Sequence, residues 1–175
     1  MNTVHHIDGE RVTLDTFEDQ DITDAYIGWL NDPEVVRFSN QRFRVHTRES
    51  CRAYLESFEG TSNLFFSIRR RSDERAIGTM TVYHSTPHGV ADVGVMIGER
   101  SVWGGGYGRD AWNALLDWLL TQRGLRKVTA GALAGNHGMV RLMERSGMSL
   151  EGVRRAQEIV DGEPHDIVLY ARFAE

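Results

Sequence analysis

Trp103-Gly104-Gly105-Gly106-Tyr107-Gly108-Arg109 is the stretch on which the fold turns. It is mostly glycine, it follows a run of alternating apolar residues, and it opens the best helical pattern in the chain. Glycine lets a backbone come close to a ligand and aim successive N–H groups at one point. A helix N-terminus adds about half a positive charge. Together these features read as a pyrophosphate cradle. Arg109 fits that reading, because a cation in the first turn opposes the helix dipole unless an anion faces it. A tight strand-to-helix turn is the plainer alternative.

Two phosphate motifs can be tested against the stretch. A P-loop ends in Gly-Lys-Ser/Thr, whereas Gly108 is followed by Arg109-Asp110. Gly106-x-Gly108-x-x-Ala111 matches the dinucleotide fingerprint, but that fingerprint belongs in a βαβ unit whose second strand ends in an acid. Here antiparallel strands are expected before the loop, and the next strand ends near Ala130-Gly131-Ala132.

Upstream of the loop the apolar period is two. Val90–Gly98 carries Val93, Val95 and Ile97 on one face, and Leu64–Arg69 and Ala76–His84 read as a hairpin. The basic run Arg69-Arg70-Arg71 reads as its solvated tip. Asp19–Leu30 places Ile22, Tyr26, Trp29 and Leu30 at helical spacing, and Pro33 breaks the helix. Glu34–Phe38 reads as a helical turn, Thr47 caps a second helix running to Phe58, and Arg11–Leu14 is a short first strand.

Downstream, Tyr107–Gln122 is a helix ended by Gly124, and Arg126–Ala132 is a strand. Asn136 caps a helix to Ser146. Met148–Val160 and His165–Phe173 are strands joined at Asp161-Gly162. The resulting order, β-α-α-β-β-β-α-β-α-β-β, predicts an α+β fold: a mixed, mostly antiparallel sheet of about seven strands with about four helices.

The 175 residues fit one domain, expected to span 1–175. With 25 Asp+Glu against 20 Lys+Arg, the net charge of -5 argues against nucleic acid and against a polybasic membrane anchor. No apolar run approaches the ~20 residues of a membrane span, and Met1–Glu10 lacks an apolar signal core. Cytoplasm is the expected compartment. Cys51, the only cysteine, excludes an internal disulfide and a Cys-based zinc site, and reads as a buried small residue rather than a catalytic thiol. No metal is expected.

At the glycine loop the chain resembles the GNAT N-acetyltransferase superfamily, whose acetyl-CoA motif is Gln/Arg-x-x-Gly-x-Gly/Ala between the fourth strand and the third helix. Gly106 and Gly108 fall on its small positions, and Trp103 stands at the Gln/Arg position. That departure is shared by the ribosomal-protein alanine acetyltransferase branch, which reads Trp-Gly-x-Gly-Tyr-x-x-Glu-Ala. The likeness continues through Asn136, Leu142-Met143-Glu144-Arg145-Ser146-Gly147-Met148 and Glu151-Gly152.

The resemblance implies acetyl-CoA as co-substrate, lying in a splay between the fourth and fifth strands. Met96, Ile97 and Gly98 would offer backbone groups to the pantetheine arm. Trp103 and the loop Gly104, Gly105, Gly106, Tyr107, Gly108 and Arg109 would hold the pyrophosphate, and Asn136 would bond the pantetheine. A primary amine would attack the thioester directly in a ternary complex, with Asp92 as general base. His84 and His88 bracket the same hairpin as proton relays. Relatives protonate the leaving thiolate with a Tyr or Ser whose positions are here Met143 and Met139, neither a proton donor; His137 or water is left.

The segment Trp29-Leu30-Asn31-Asp32-Pro33-Glu34-Val35, with Ser39-Asn40-Gln41-Arg42 and His46-Thr47, resembles acetyltransferases of amino-sugar nucleotide pathways. It implies acceptor contacts from Asn31, Arg42 and His46, with His84 beside them, and a sugar-nucleotide amine as first substrate class. A peptide α-amine and a small-molecule amine follow. A non-catalytic acetyl-CoA sensor and a nicotinamide-dependent oxidoreductase are the alternatives of other classes. Homodimerisation, frequent in the family, stays open.

Overall fold

The period-two stretches fold as strands of a single sheet. The computed structural model describes residues 4–175. Its strands are β1 (His6–Asp8), β2 (Val12–Thr16), β3 (Leu64–Arg70), β4 (Ala76–Ser85), β5 (Val90–Ile97), β6 (Lys127–Leu133), β7 (Ser149–Val160) and β8 (Glu163–Phe173). They lie in the order β1-β2-β3-β4-β5-β6-β8-β7. Every neighbouring pair is antiparallel except β5–β6, which is parallel. Among the described residues the sheet has eight strands rather than about seven. The addition, β1, has three residues, too few to carry an alternating pattern, and pairs with β2.

Helices α1 (Asp24–Asn31), α2 (Arg48–Glu56), α3 (Tyr107–Asp117) and α4 (His137–Arg145) complete the α+β fold. The helix expected over Asp19–Leu30 is divided. Asp19–Asp21 forms a 3-10 turn, and Thr23 starts α1 afresh by accepting a hydrogen bond from the Tyr26 N–H at 3.2 Å. Asp32 ends α1 in an extended conformation (φ -84, ψ 113), as a residue before proline must. Thr47 caps α2, accepting from the Ser50 N–H. Beyond α3 the chain continues as a π-turn over Trp118–Gln122.

The sheet buries both faces. On one, Phe66, Met80, Val82 and Val93 pack with Trp112, Leu115 and Leu119 of the α3 segment and Met143 of α4. On the other, Tyr26, Trp29, Cys51 and Phe58 of the α1–α2 region meet Phe17 and Phe65. Phe65 stacks between Phe17 and Phe58, with ring centroids 4.2 and 5.2 Å away.

The basic run is not a solvated tip. Arg69 pairs with Asp21 and Arg71 with Asp8, tying the β3–β4 hairpin to its neighbours, and Arg70 pairs with Asp73 within the hairpin. No helix among the described residues is long and apolar enough to cross a membrane.

Candidate active site

The parallel pair sets the site. β5 and β6 match only from Val90↔Lys127 to Asp92↔Thr129. Past that rung they part, because β5 stays on β4 to Ile97 while β6 stays on β8 to Leu133. The wedge between them joins a cavity of about 910 Å³, a size suited to a cofactor arm and a small acceptor. Trp103, Asn136 and Met139 line it, together with Met96, Tyr26, Tyr54, Phe65 and Tyr83.

Register decides which backbone groups face the wedge. The Gly98 N–H donates to Ile77 O at 2.9 Å, toward β4. Direction alternates along an antiparallel strand, so Met96 and Gly94 also turn to β4, and Val93, Val95 and Ile97 turn to the wedge. Of the expected trio Met96, Ile97 and Gly98, only Ile97 presents its backbone there, and its carbonyl accepts from Trp103 Nε1 at 2.8 Å. Met96 still lines the cavity; Gly98 is buried against Trp29. Val93 and Val95 were missed, although the alternation named them as a face.

Trp103 lines the cavity, and Gly104–Arg109 lie beyond it. Gly104 (φ 76) and Gly106 (φ 82) take the left-handed conformation that glycine adopts without strain. Gly106 begins α3 without a side-chain cap, and the first intrahelical bond is Asp110 N–H to Gly106 O at 3.1 Å. The amides of Tyr107, Gly108 and Arg109 therefore have no partner within the helix, and Arg109 is exposed. These donors at the positive helix end fit a pyrophosphate.

The loop is held from behind. Asp110 accepts from the backbone N–H groups of Glu10, Arg11 and Val12 at 2.9, 2.8 and 3.0 Å. Arg11 donates to Gly105 O and lies 4.1 Å from the Tyr107 ring centroid. A clamp between residues about a hundred positions apart leaves no sequence signal.

Asn136 Oδ1 accepts from the Met139 N–H at 3.2 Å and caps α4, and the residue lines the cavity with Met139. Met143 is fully buried in the core and does not reach the cavity, and His137 is exposed outside the lining.

Asp92 stands on the last rung before the wedge. Its carboxylate accepts from the Thr129 hydroxyl at 2.6 Å. The residue is exposed as a whole, yet protein around the carboxylate strips hydration and pushes its pKa up, and the Thr129 bond opposes part of that shift. Asp92 does not itself line the cavity, but its cross-strand neighbour Tyr83 does. Sequence reasoning missed Tyr83, although Thr79, Thr81 and Tyr83 share one face by alternation.

Of the expected acceptor contacts, only His46 lines the cavity. Asn31 donates to His46 O at 2.8 Å and accepts from the His46 N–H at 2.9 Å, fixing the loop rather than a ligand. Arg42 donates to Ser39 O and Ile159 O and ties that loop to β7. His84 faces the opposite side of the sheet from Tyr83, near His5 and Arg123, with its pKa lowered first by burial.

Comparison with known proteins agrees with this fold. The family model of the acetyltransferase (GNAT) domain matches residues 11–149. A Bacillus licheniformis protein named uncharacterized N-acetyltransferase p20 is 27% identical over 168 residues, covering 93% of this chain and 92% of its own. The ribosomal-protein-S5-alanine acetyltransferase of Vibrio fischeri superposes with a TM-score of 0.82 at 19% identity, over 98% of this chain and 97% of its own. The spermidine N-acetyltransferase of Vibrio cholerae, solved with CoA and spermine, gives 0.82 at 18% identity, over 94% and 96%. The two structures share the fold. With a match spanning most of its length, the chain belongs to the GNAT acetyltransferase family and is an N-acetyltransferase.

Proposed function

We propose that this chain acts as one unit that moves the acetyl group of acetyl-CoA onto a primary amine held in the same cavity, by direct attack in a ternary complex. The observation that carries the reading is the wedge beyond Asp92↔Thr129, with a free β5 edge, a glycine loop at a helix N-terminus and an aromatic chamber opening onto it. The thioester supplies an activated acetyl group. The edge at Val93, Val95 and Ile97 pairs with the amide-bearing pantetheine as an added strand would. Gly104–Arg109 hold the pyrophosphate, and the Asn136 amide group bonds the arm.

A primary amine is largely protonated at neutral pH, so a base must take a proton before attack. Asp92 fills that role; its raised pKa brings it nearer the working pH, where a general base is most effective.

For the acceptor we propose an amino-sugar nucleotide. The charged groups lining the chamber are Arg37, Arg44 and Glu34, with His46, a balance that suits a diphosphate better than a polycation. Tyr54 offers a ring for a nucleobase, and Thr81 and Gln41 offer polar groups for sugar hydroxyls. We place the reaction in the cytoplasm. The test is thiol release from acetyl-CoA with a panel comprising a uridine-diphosphate amino sugar, a peptide with a free N-terminus, and spermidine. Release with the amino-sugar nucleotide supports the reading, and release with spermidine or peptide alone replaces the acceptor class. Tight acetyl-CoA binding without release from any amine makes the chain a sensor instead.

A further inference from the structure

Tyr83 lines the cavity, and its Cα pairs across the β4–β5 ladder with Asp92, the residue of the last β5–β6 rung. It therefore stands at the closed end of the wedge. Its hydroxyl lies 2.7 Å from that of Tyr54 on α2. We propose that Tyr83 is the proton donor to the departing thiolate, with Tyr54 as its positioning residue. The inference rests on the acetyl-transfer reading and deepens it.

A donor is needed because Met143 is buried in the core and Met139, in the lining, has no proton to give. Tyr54 is set edge-on to Phe58 and Phe65, at 5.2 and 5.4 Å. Burial pushes its phenol pKa far up, and the Tyr83 hydrogen bond adds to the rise. Tyr54 thus keeps its proton, and in the proposed step it gives its hydrogen bond to Tyr83 Oη. That bond stabilises the negative charge developing on Tyr83 as its own proton leaves. The other titratable groups around Tyr83 are Tyr26 on α1 and Cys51 on α2, both pushed up by burial, and Asp92 on β5. Farther along the cavity wall stand Glu34, Arg37, Arg44 and His46.

In the step itself, the amine nitrogen bonds to the carbonyl carbon and the C–S bond breaks with its electron pair on sulfur. Tyr83 Oη–H protonates that sulfur, and the proton shed by the amine goes to Asp92. Tyr83 is 43% exposed, so its phenolate regains a proton from water.

The experiment measures CoA release from acetyl-CoA with hydroxylamine, a small amine largely unprotonated at neutral pH, corrected for the reaction without enzyme. Tyr83→Phe is expected to lower kcat about 100-fold with KM for acetyl-CoA within about twofold. Tyr54→Phe is expected to lower kcat about tenfold, again without a change in KM. A Tyr83→Phe enzyme with kcat within about threefold of wild type, or with its loss confined to KM, overturns the donor role and leaves acetyl transfer standing. An unchanged kcat in Tyr54→Phe overturns the positioning role. No release by the wild type with hydroxylamine or any panel amine overturns the acetyl-transfer reading itself.

Discussion

Trp29 lies so close to Gly98 that a Cβ at position 98 would stand 2.1 Å from the indole Cδ2. The contact joins α1 to the end of β5, the strand whose free edge forms one wall of the wedge. Gly98→Ala is expected to cost about 2 kcal/mol through overpacking, lowering Tm by roughly 4–8 °C for a chain of this size. Thermal denaturation followed by circular dichroism checks it. Adding Trp29→Leu should recover part of the loss, since the double variant removes the clash.

Asp110→Asn tests the clamp behind the glycine loop. The carboxylate accepts from the amides of Glu10, Arg11 and Val12, and the amide of asparagine would turn a donor toward at least one of them. Calorimetric titration should find CoA binding weakened about tenfold, while the KM for the acceptor stays put. An equal effect on both substrates would mean general loosening instead.

Asp92→Asn separates two consequences of one raised pKa. As a base, Asp92 must be ionised, so wild-type kcat/KM should fall on the acid side at a pH above the ordinary carboxylate range. The variant should lose about 100-fold in kcat near neutrality. Stability runs the other way. A folded-state pKa above the unfolded value contributes stability that is present below the unfolded pKa and is lost as pH rises through the folded one. The variant should therefore match wild type in acid and be the more stable protein at neutral pH, as denaturant melts at the two pH values will show.

Cys51 lines the cavity wall but is only 3% exposed, and burial pushes its thiol pKa up. Iodoacetamide should label the native protein slowly at neutral pH, faster as the solution becomes alkaline, and at the free-thiol rate in denaturant. Cys51→Ala should keep turnover within about threefold, because the thiol takes no part in the reaction. A large loss of kcat would give Cys51 a chemical role.

Local signals in the chain were legible. The glycine loop, the Asn136 cap and the alternation of β4 and β5 are each written within about ten residues, and they yielded the element order, while the wedge was expected from the family resemblance. Residues whose partners lie far along the chain were not. Asn31 looked available until it closed on His46, and Arg42 until it reached Ile159. His84 and Tyr83 show a different failure. Adjacent residues of a strand face opposite sides, and of the pair Tyr83, not His84, lines the cavity. Strand β1 escaped because three residues do not establish a period.

The clamp of Asp110 on the segment after β1 has a temporal consequence. Its hydrogen bonds span 98 to 100 residues of sequence, so during synthesis the first hairpin leaves the ribosome long before its carboxylate partner exists. Contacts of such separation close late in folding. The ability to bind CoA then reports that the first strands have docked, and a refolding chain should regain its helices before it regains its ligand.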